Sequence, residues 1–238
     1  LNDPYRLTPE EQDVVDRLKA SFLRSDRLQR HIRFMYAKGG LYKVYNGNLL
    51  FHGCVPLNAD GSFMKVKVFG KEYYGKALYD ILETYARKGF FSDNPKERKR
   101  GQDILWFTWI SKNSPVFGKY KMTTFERYFI ADKKTHEEPK NPYYLLYENE
   151  EVINNILAEF GLPAEGSHII NGHVPVKAKK GESPAKCNGK LLVIDGGFSK
   201  PYQKTTGLAG YTLIYNSYGL VLTAHQVFKS MEETVLNE

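Results

Sequence analysis

Cysteine is scarce in this chain, with two residues, Cys54 and Cys187, among 238. They are far apart in sequence and do not form a Cys-x-x-Cys pair. A disulfide framework needs several closely spaced cysteines, so this class of small secreted fold is excluded. We therefore expect two reduced thiols in a cytoplasmic protein.

Long apolar runs are also absent. No segment approaches the roughly 20 apolar residues that a membrane-spanning helix requires. The N-terminal residues show no basic segment followed by an apolar one, so no secretory signal is predicted. With 238 residues the chain is long enough to bury a core without disulfide support. These features predict a globular protein without a membrane partner.

The two ends of the sequence suggest a piece of a larger protein. The chain starts at Leu1 rather than at a methionine. Its last residues, QVFKSMEETVLNE, begin an amphipathic helical pattern that they do not complete. We expect further polypeptide on both sides.

Acidic residues are outnumbered by basic ones, 27 against 34, which gives a formal net charge of +7. A basic surface favours an anionic partner, either a phosphorylated metabolite or a nucleic acid. The bases are scattered rather than gathered in one stripe, and no standard nucleic-acid-binding motif is present. Nucleic acid is therefore the less favoured partner.

Apolar periodicity predicts a mixed α/β (α+β) fold. Thr8 with Glu11 forms a capping-box pattern at the start of one helix, and Ser25 begins another. Asn46-Gly47 between two apolar runs predicts a β-hairpin. Trp106 and Trp109 share one face of a predicted helix, which we expect to lie in the core. Four regions are predicted: a helical lead-in at 1–40, strands carrying His52 at 41–70, a largely helical, aromatic insert at 71–163, and a β-rich part carrying His173 at 164–238.

Three polar motifs lie where an apolar strand gives way to a loop. They are His52-Gly53, Gly172-His173 and Asp195-Gly196-Gly197. Strand ends carry functional groups in layered α/β proteins, and neutral imidazole is a common metal ligand. Each dipeptide alone is weak evidence for a functional site, because a histidine at a strand end is more often structural. Two such histidines favour a metal site without deciding it.

The wider context of these motifs resembles a known superfamily. LLFHGCVP and INGHVPVK followed by KLLVIDGG are similar to the two histidine motifs of the calcineurin-like metallophosphoesterases. The longer stretches RSDRLQRHIRFMYAKGGLYKVYNGNLLFHGC, SPVFGKYKMTTFERYF and NGKLLVIDGGFSKPYQKTTGLAGYTLIYNSYGLVLTAHQ resemble the class III fructose-1,6-bisphosphatases of Firmicutes and Bacteroidetes. This resemblance covers about residues 9–228.

The resemblance implies a fold, a reaction and a metal site. The fold is part of a β-sandwich flanked by helices, and the reaction is removal of the 1-phosphate of fructose 1,6-bisphosphate by a metal-activated water, in gluconeogenesis. His52 and His173 would be ligands of a dinuclear Mn²⁺ site. Pro175 stands where some branches of the superfamily carry a second histidine.

Other metal-binding segments of the superfamily are missing. The Asp-x-His, Gly-Asp-x-x-Asp-Arg and Gly-Asn-His-Asp segments, which precede the first histidine motif, are not found, and no Gly-Asp dipeptide occurs. The resemblance therefore implies a C-terminal portion with an incomplete dinuclear site, and activity of this chain alone stays open.

The remaining candidate residues have less specific signals. Asp195 either shapes the Gly196-Gly197 turn or supports His173 from behind, and Cys54 is either a buried small side chain or a neighbour of His52 at the site. Basic residues could hold the substrate phosphates; the candidates are Lys119, Lys121, Arg127, Lys200 and Lys204. His31, His136 and His168 are predicted to be surface or core residues. The same holds for His225, although its place at a strand end leaves a functional role open.

Alternative functions stay open at this stage. A phosphoprotein or dinucleotide phosphatase would keep the same histidines and differ in the insert. A basic nucleic-acid-binding module would explain the charge and the aromatic residues, and a structural or regulatory role is possible for a fragment. A sugar bisphosphate is the favoured partner, and a homo-oligomer is possible.

Overall fold

A computed structural model describes residues 3, 5–197, 199–200, 204, 206–207, 210–225 and 230–232. Contacts divide the chain into two units, Leu1–Gly40 and Leu41–Glu238. Runs of helices and runs of short strands follow one another along the chain, so the predicted mixed α/β class is confirmed. Among the described residues, no helix has both the length and the apolar character needed to cross a membrane.

The first unit consists of two helices, α1 (Pro9–Leu23) and α2 (Asp26–Lys38). The predicted capping box forms: Thr8 Oγ1 accepts from the Glu11 amide at 3.2 Å, and Glu11 Oε2 accepts from the Thr8 amide at 2.8 Å. No described residue of either helix is buried. Local capping therefore defines where these helices start, independently of any core.

The second unit opens with the predicted hairpin. Strands β1 (Tyr42–Tyr45) and β2 (Asn48–Phe51) pair antiparallel around Asn46-Gly47. Both turn residues have positive φ, 48° and 72°, as a two-residue hairpin turn requires. The turn thus places the apolar residues of β2 in the core.

One five-stranded sheet contains this hairpin, with the strand order β1-β2-β5-β7-β6. Strands β2, β5 (His168–Asn171) and β7 (Leu191–Val193) run parallel, whereas β1 and β6 (Ala185–Lys186) are antiparallel to their neighbours. The three parallel strands are largely buried, as expected for a sheet covered by helices.

The sheet shares the main hydrophobic core with a helix. The largest core cluster includes Leu49, Ile169 and Leu191 from the parallel strands, together with Ile153 and Ile156 from a helix. The remaining elements are β3 (Val66–Val68), β4 (Lys71–Tyr73), α3 (Gly75–Phe91), α4 (Pro95–Ile110), α5 (Thr124–Phe129), α6 (Tyr143–Leu146), α7 (Glu150–Glu159), β8 (Tyr211–Asn216) and β9 (Gly219–Ala224).

Two local features set element boundaries in this part of the chain. Strands β3 and β4 form a hairpin, because Phe69 and Gly70 adopt φ values of 48° and 86° and turn the chain between them. The charged residues from Pro95 onward belong to α4. Asn94 Oδ1 caps this helix by accepting from the amides of Lys96 at 3.0 Å and Glu97 at 3.3 Å.

The prediction that the two tryptophans lie in the core was wrong. Trp106 and Trp109 are 57% and 61% exposed, and their rings meet edge to face with centroids 5.4 Å apart. They do share a helix face, as predicted. The buried face of α4 carries Gly101, Ile104 and Thr108 instead, because that face packs against α3.

Gly101 explains why that face of α4 is buried. A Cβ atom on Gly101 would overlap the backbone of Gly89 and the Tyr85 carbonyl on α3. The two helices therefore cross with their backbones in direct contact, which only a residue without a side chain permits.

Replacing Gly101 by alanine should lower the free energy of unfolding by about 1–3 kcal/mol, since two helix backbones must separate to admit a methyl group. Urea unfolding followed by circular dichroism would measure this. Gln102→Ala, one position along and exposed, is the matched control and should change stability little. Equal stability of the two variants would contradict the close crossing.

Candidate metal centre

The three polar motifs meet at one edge of the five-stranded sheet. Phe51, Asn171 and Val193 are register partners at the carboxyl ends of parallel strands β2, β5 and β7. The next residues are also joined, because the Gly172 amide donates to the His52 carbonyl at 3.1 Å. Parallel strands end at the same edge of a sheet, and this is where α/β proteins bind ligands.

The side chains of His52 and His173 face each other at this edge. Nε2 of His52 lies 2.9 Å from Nδ1 of His173, and the ring centroids are 4.8 Å apart at an interplanar angle of 72°. His173 adopts φ 66°, a conformation that is uncommon outside glycine. Such strain is concentrated at functional sites, where neighbouring structure holds the residue in place.

Both rings are neutral at neutral pH. Burial lowers the pKa of His52, and the charge of Asp195 opposes this shift. The pKa of His173 falls to about 4, chiefly through burial and then through the facing His52 ring, while the Phe117 backbone and Asp195 act in the opposite direction. Neutral imidazole is the form that coordinates a metal ion, so neither ring would first have to lose the extra proton of an imidazolium.

The separation of the two nitrogens fits a shared metal ion. Metal–imidazole bonds of about 2.1 Å at right angles place two ligand nitrogens roughly 3 Å apart, close to the 2.9 Å observed. Nε2 of His173 is buried and has no hydrogen-bond partner among the described residues. Within that part of the chain no group of three or more His, Cys, Asp or Glu side chains converges. The pair therefore supplies part of a coordination sphere.

Asp195 lies close behind this pair. A Cβ atom placed on Gly172 would be 3.6 Å from Asp195 Cβ and 4.0 Å from Asp195 Oδ2, so the carboxylate lies beside Gly172 at van der Waals distance. Asp195 Oδ1 accepts from the Gly197 amide at 2.9 Å, which is the predicted turn contact. The Asp195 carbonyl also accepts from Val176 at 2.8 Å. Its negative charge near both rings would favour a bound cation, and the role of supporting His173 stays a prediction.

The loop that follows His52 is held by buried polar contacts. A Cβ on Gly53 would meet the carbonyl oxygens of Pro115 and Val116, so this position requires glycine. The Cys54 amide donates to Pro115 at 2.9 Å, and Asn171 Nδ2 donates to the Gly53 carbonyl at 3.1 Å. Asn171 was missed from the sequence; its only signal was a polar residue at the end of the apolar run HIIN.

Cys54 faces the core rather than solvent. Its side chain is fully buried in the main hydrophobic cluster, and burial raises the pKa of the thiol. This placement favours the small apolar role. The alternative, that Cys54 lines the site beside His52, remains a prediction.

The bases predicted to bind substrate are largely engaged within the protein. Lys119 Nζ forms an ion pair with Glu138 Oε2 at 2.8 Å. Lys121 Nζ donates to the Thr135 carbonyl at 3.1 Å, and Arg127 Nη2 donates to the His136 carbonyl at 2.8 Å. Their roles toward substrate stay predictions. Lys119 is the one whose charge lowers the pKa of His173.

The remaining candidates lie elsewhere on the surface or in local contacts. Lys200 and Lys204 are exposed, and the Lys204 carbonyl accepts from Lys179 Nζ at 3.4 Å. His136 Nε2 contacts the carbonyls of Glu126 at 3.0 Å and Ile130 at 2.8 Å, which is a structural role. None of these contacts involves the histidine pair.

Comparison with known proteins decides the family. The family model described as Firmicute fructose-1,6-bisphosphatase matches residues 1–238, the whole chain. This chain belongs to that family. The earlier resemblance to class III fructose-1,6-bisphosphatases is thereby confirmed, and membership implies a divalent metal cofactor.

Individual members of this fructose-1,6-bisphosphatase family are longer than this chain. The class 3 enzyme of Clostridioides difficile strain 630 is 59% identical over 237 residues, which are 99% of this chain and 36% of that relative. The class 3 enzyme of Clostridium acetobutylicum is 56% identical over 238 residues, again 36% of its length. The chain therefore spans about a third of the length of these relatives. No solved structure matches it.

A buried tyrosine anchors the residues after His52. Tyr79 on α3 donates its hydroxyl hydrogen to the Cys54 carbonyl at 2.9 Å, and Tyr79 is 1% exposed. Tyr143 is equally buried in the same cluster, and its hydroxyl has no partner among the described residues. The two tyrosines thus differ in one hydrogen bond within one environment.

Tyr79→Phe should lower the free energy of unfolding by about 1–2 kcal/mol, because it leaves the buried Cys54 carbonyl without its donor. Tyr143→Phe is the matched control and should be neutral or stabilising, since it removes a buried hydroxyl that has no bond. Denaturant unfolding of both variants measures the difference. A cost at Tyr143 equal to that at Tyr79 would refute the anchoring role.

Glu138 holds the segment that contains Lys119 and Thr123. Besides the ion pair with Lys119, its Oε1 accepts from the Thr123 amide at 3.0 Å and from Thr123 Oγ1 at 2.9 Å. Burial acts to raise the pKa of Glu138, but Lys119 and Thr123 outweigh it and lower the pKa to about 2. The ionised carboxylate is therefore the form that stabilises the fold.

This lowered pKa predicts a loss of stability in acid. A depressed folded pKa contributes stability above the unfolded value of about 4.3, and the contribution of about 2–3 kcal/mol disappears as the pH falls toward 2. Glu138→Gln should therefore differ from the parent at pH 7 and converge with it near pH 2. Unfolding curves across this range, with the exposed Glu137→Gln as control, test it. A difference that does not change with pH would exclude the linkage.

Proposed function

We propose that the full-length protein containing this chain hydrolyses the 1-phosphate of fructose 1,6-bisphosphate in gluconeogenesis in the cytoplasm, using Mn²⁺ in a dinuclear site. The observation that carries this proposal is the pair of neutral histidines whose nitrogens lie 2.9 Å apart, in a chain matched over its whole length by the fructose-1,6-bisphosphatase family. Both relatives compared above carry the name fructose-1,6-bisphosphatase class 3.

In this proposal His52 Nε2 and His173 Nδ1 hold one Mn²⁺ ion. Bound metal ions in such sites neutralise phosphate charge, orient the group and activate a water molecule. The remaining ligands would come from outside the described residues. The two rings would be ready for the ion, because both are neutral and their facing nitrogens are already in place.

The backbone around the pair keeps this arrangement fixed. The amide of Gly172 is bonded to the His52 carbonyl, and Asn171 is bonded to the Gly53 carbonyl, so neither histidine can shift without the other. The positive φ of His173 turns its ring back toward His52. A preorganised pair lowers the cost of assembling a metal site.

Phosphate release from fructose 1,6-bisphosphate with Mn²⁺ is the first test. The full-length protein should be active, and its His52→Ala variant should lose at least about a hundredfold in activity, since a lost ligand costs more than the 10–100-fold typical of its supporting contacts. The exposed His31→Ala on α2 is the control histidine and should retain activity. The isolated chain should be inactive or much weaker.

Three outcomes separate the parts of this proposal. Activity unchanged in His52→Ala would refute the ligand role. No release from fructose 1,6-bisphosphate by an intact, metal-loaded protein, together with release from a phosphoprotein or dinucleotide, would replace the substrate and keep the metal site. Full activity of the isolated chain would contradict the incomplete coordination sphere.

A further inference from the structure

The charges of three lysines, Lys119, Lys140 and Lys177, act on one another, and none of the predicted metal chemistry uses them. Lys119 lies opposite Lys140 in an isolated antiparallel bridge. Hydrogen bonds on both sides of this bridge hold it, from the Tyr120 amide to Pro139 at 2.8 Å and from the Asn141 amide to Gly118 at 3.0 Å. Lys177 follows Val176, whose amide is bonded to Asp195.

The charge on Lys140 has little compensation. Its Nζ lies 5.7 Å from the centroid of the Tyr144 ring, and it makes no ion pair among the described residues. Burial lowers the pKa of Lys140, and the charges of Lys177 and Lys119 lower it further, against a smaller opposing effect of Glu182. Three cations thus act on one another, and the side chains of Lys140 and Lys177 are exposed to solvent.

The nearby acidic groups are already used. Glu138 pairs with Lys119. Glu182 accepts from the Lys177 amide at 2.9 Å and from Lys186 Nζ at 3.2 Å. An ammonium group beside two like charges and without an ion-pair partner among the described residues is suited to a ligand that brings negative charge.

The position of the group relates it to the histidine pair. Lys119 is two residues beyond Phe117, whose backbone lies beside the His173 ring. The charge of Lys119 lowers the pKa of that ring. Lys177 is four residues beyond His173 and is joined through Val176 to the strand end at Asp195. Lys119 therefore connects the group to the metal centre, Lys140 lies opposite Lys119 in the bridge, and Lys177 follows the segment that carries His173.

We propose that Lys140 and Lys177, beside Lys119, form a phosphate-binding subsite that holds the phosphate of the sugar bisphosphate that is not hydrolysed. The assignment to that phosphate rests on the proposed function, whereas binding of a sugar phosphate does not. Lysine ammonium groups bind phosphate oxygens through charge-assisted hydrogen bonds, which are about twice as strong as neutral ones. Lys121 and Arg127 suit this role less, because backbone carbonyls already accept from them.

Fructose 6-phosphate binding to the metal-free full-length protein tests the subsite directly. A chelator removes metal, so that phosphate cannot be held at the histidines, and calorimetric titration gives the dissociation constant. Lys140→Gln and Lys177→Gln should each raise this constant about tenfold or more. Lys140→Arg should restore most of the affinity, because it keeps the charge.

Lys99→Gln is the matched control. Lys99 is an exposed lysine that pairs with Asp103 within α4, at 2.7 Å, and its loss should change binding less than twofold. Circular dichroism and unfolding of each variant would identify one that fails to fold, in which case Lys140→Arg and Lys177→Gln carry the test.

The outcomes distinguish this inference from the proposed function. Unchanged affinity in both glutamine variants, or no binding of fructose 6-phosphate to the parent at millimolar concentration, would overturn the subsite even if the enzyme is active. If the glutamine variants bind fructose 6-phosphate more weakly but the parent protein does not hydrolyse fructose 1,6-bisphosphate, the sugar-phosphate subsite is supported and the proposed reaction is refuted. Weakened binding together with a raised KM for fructose 1,6-bisphosphate would support both.

Discussion

The parallel pairing of β2, β5 and β7 is the constraint on which the rest of this structure depends. Because Phe51, Asn171 and Val193 are register partners, the residues that follow them emerge at one edge of the sheet. A shift of register by one residue would reverse the faces of the strand and separate His52 from His173. The candidate metal centre is therefore a consequence of backbone hydrogen bonding between strands that are distant in sequence.

Buried polar contacts then hold what the sheet brings together. Tyr79 and Asn171 bind the carbonyls of Cys54 and Gly53, so the loop after His52 is tied to α3 and to β5. Glu138 holds the segment carrying Lys119 as an acceptor, through its ion pair with Lys119 and its bond from the Thr123 amide. Each contact satisfies a group that would otherwise be buried without a partner, which makes the loop geometry specific as well as stable.

Local chemistry was predictable where it depends on a few adjacent residues. The Thr8–Glu11 capping box and the Asn46-Gly47 hairpin follow from short-range hydrogen bonding and backbone sterics, and both formed as expected. The outward face of Trp106 and Trp109 was not predictable, since periodicity shows that two residues share a face but not which face is covered. The contact between Gly89 and Gly101 decides this, and it joins two different helices.

By itself the sequence determined the mixed α/β class, the strand-end positions of His52, His173 and Asp195, and a family resemblance that the comparison confirmed. These depend on residue order and local conformation. Only the tertiary structure decided that two histidines 121 positions apart face each other at 2.9 Å. It also decided that Lys119 is neutralised by Glu138 while Lys140 is left among like charges, because such pairings depend on long-range packing that no local pattern encodes.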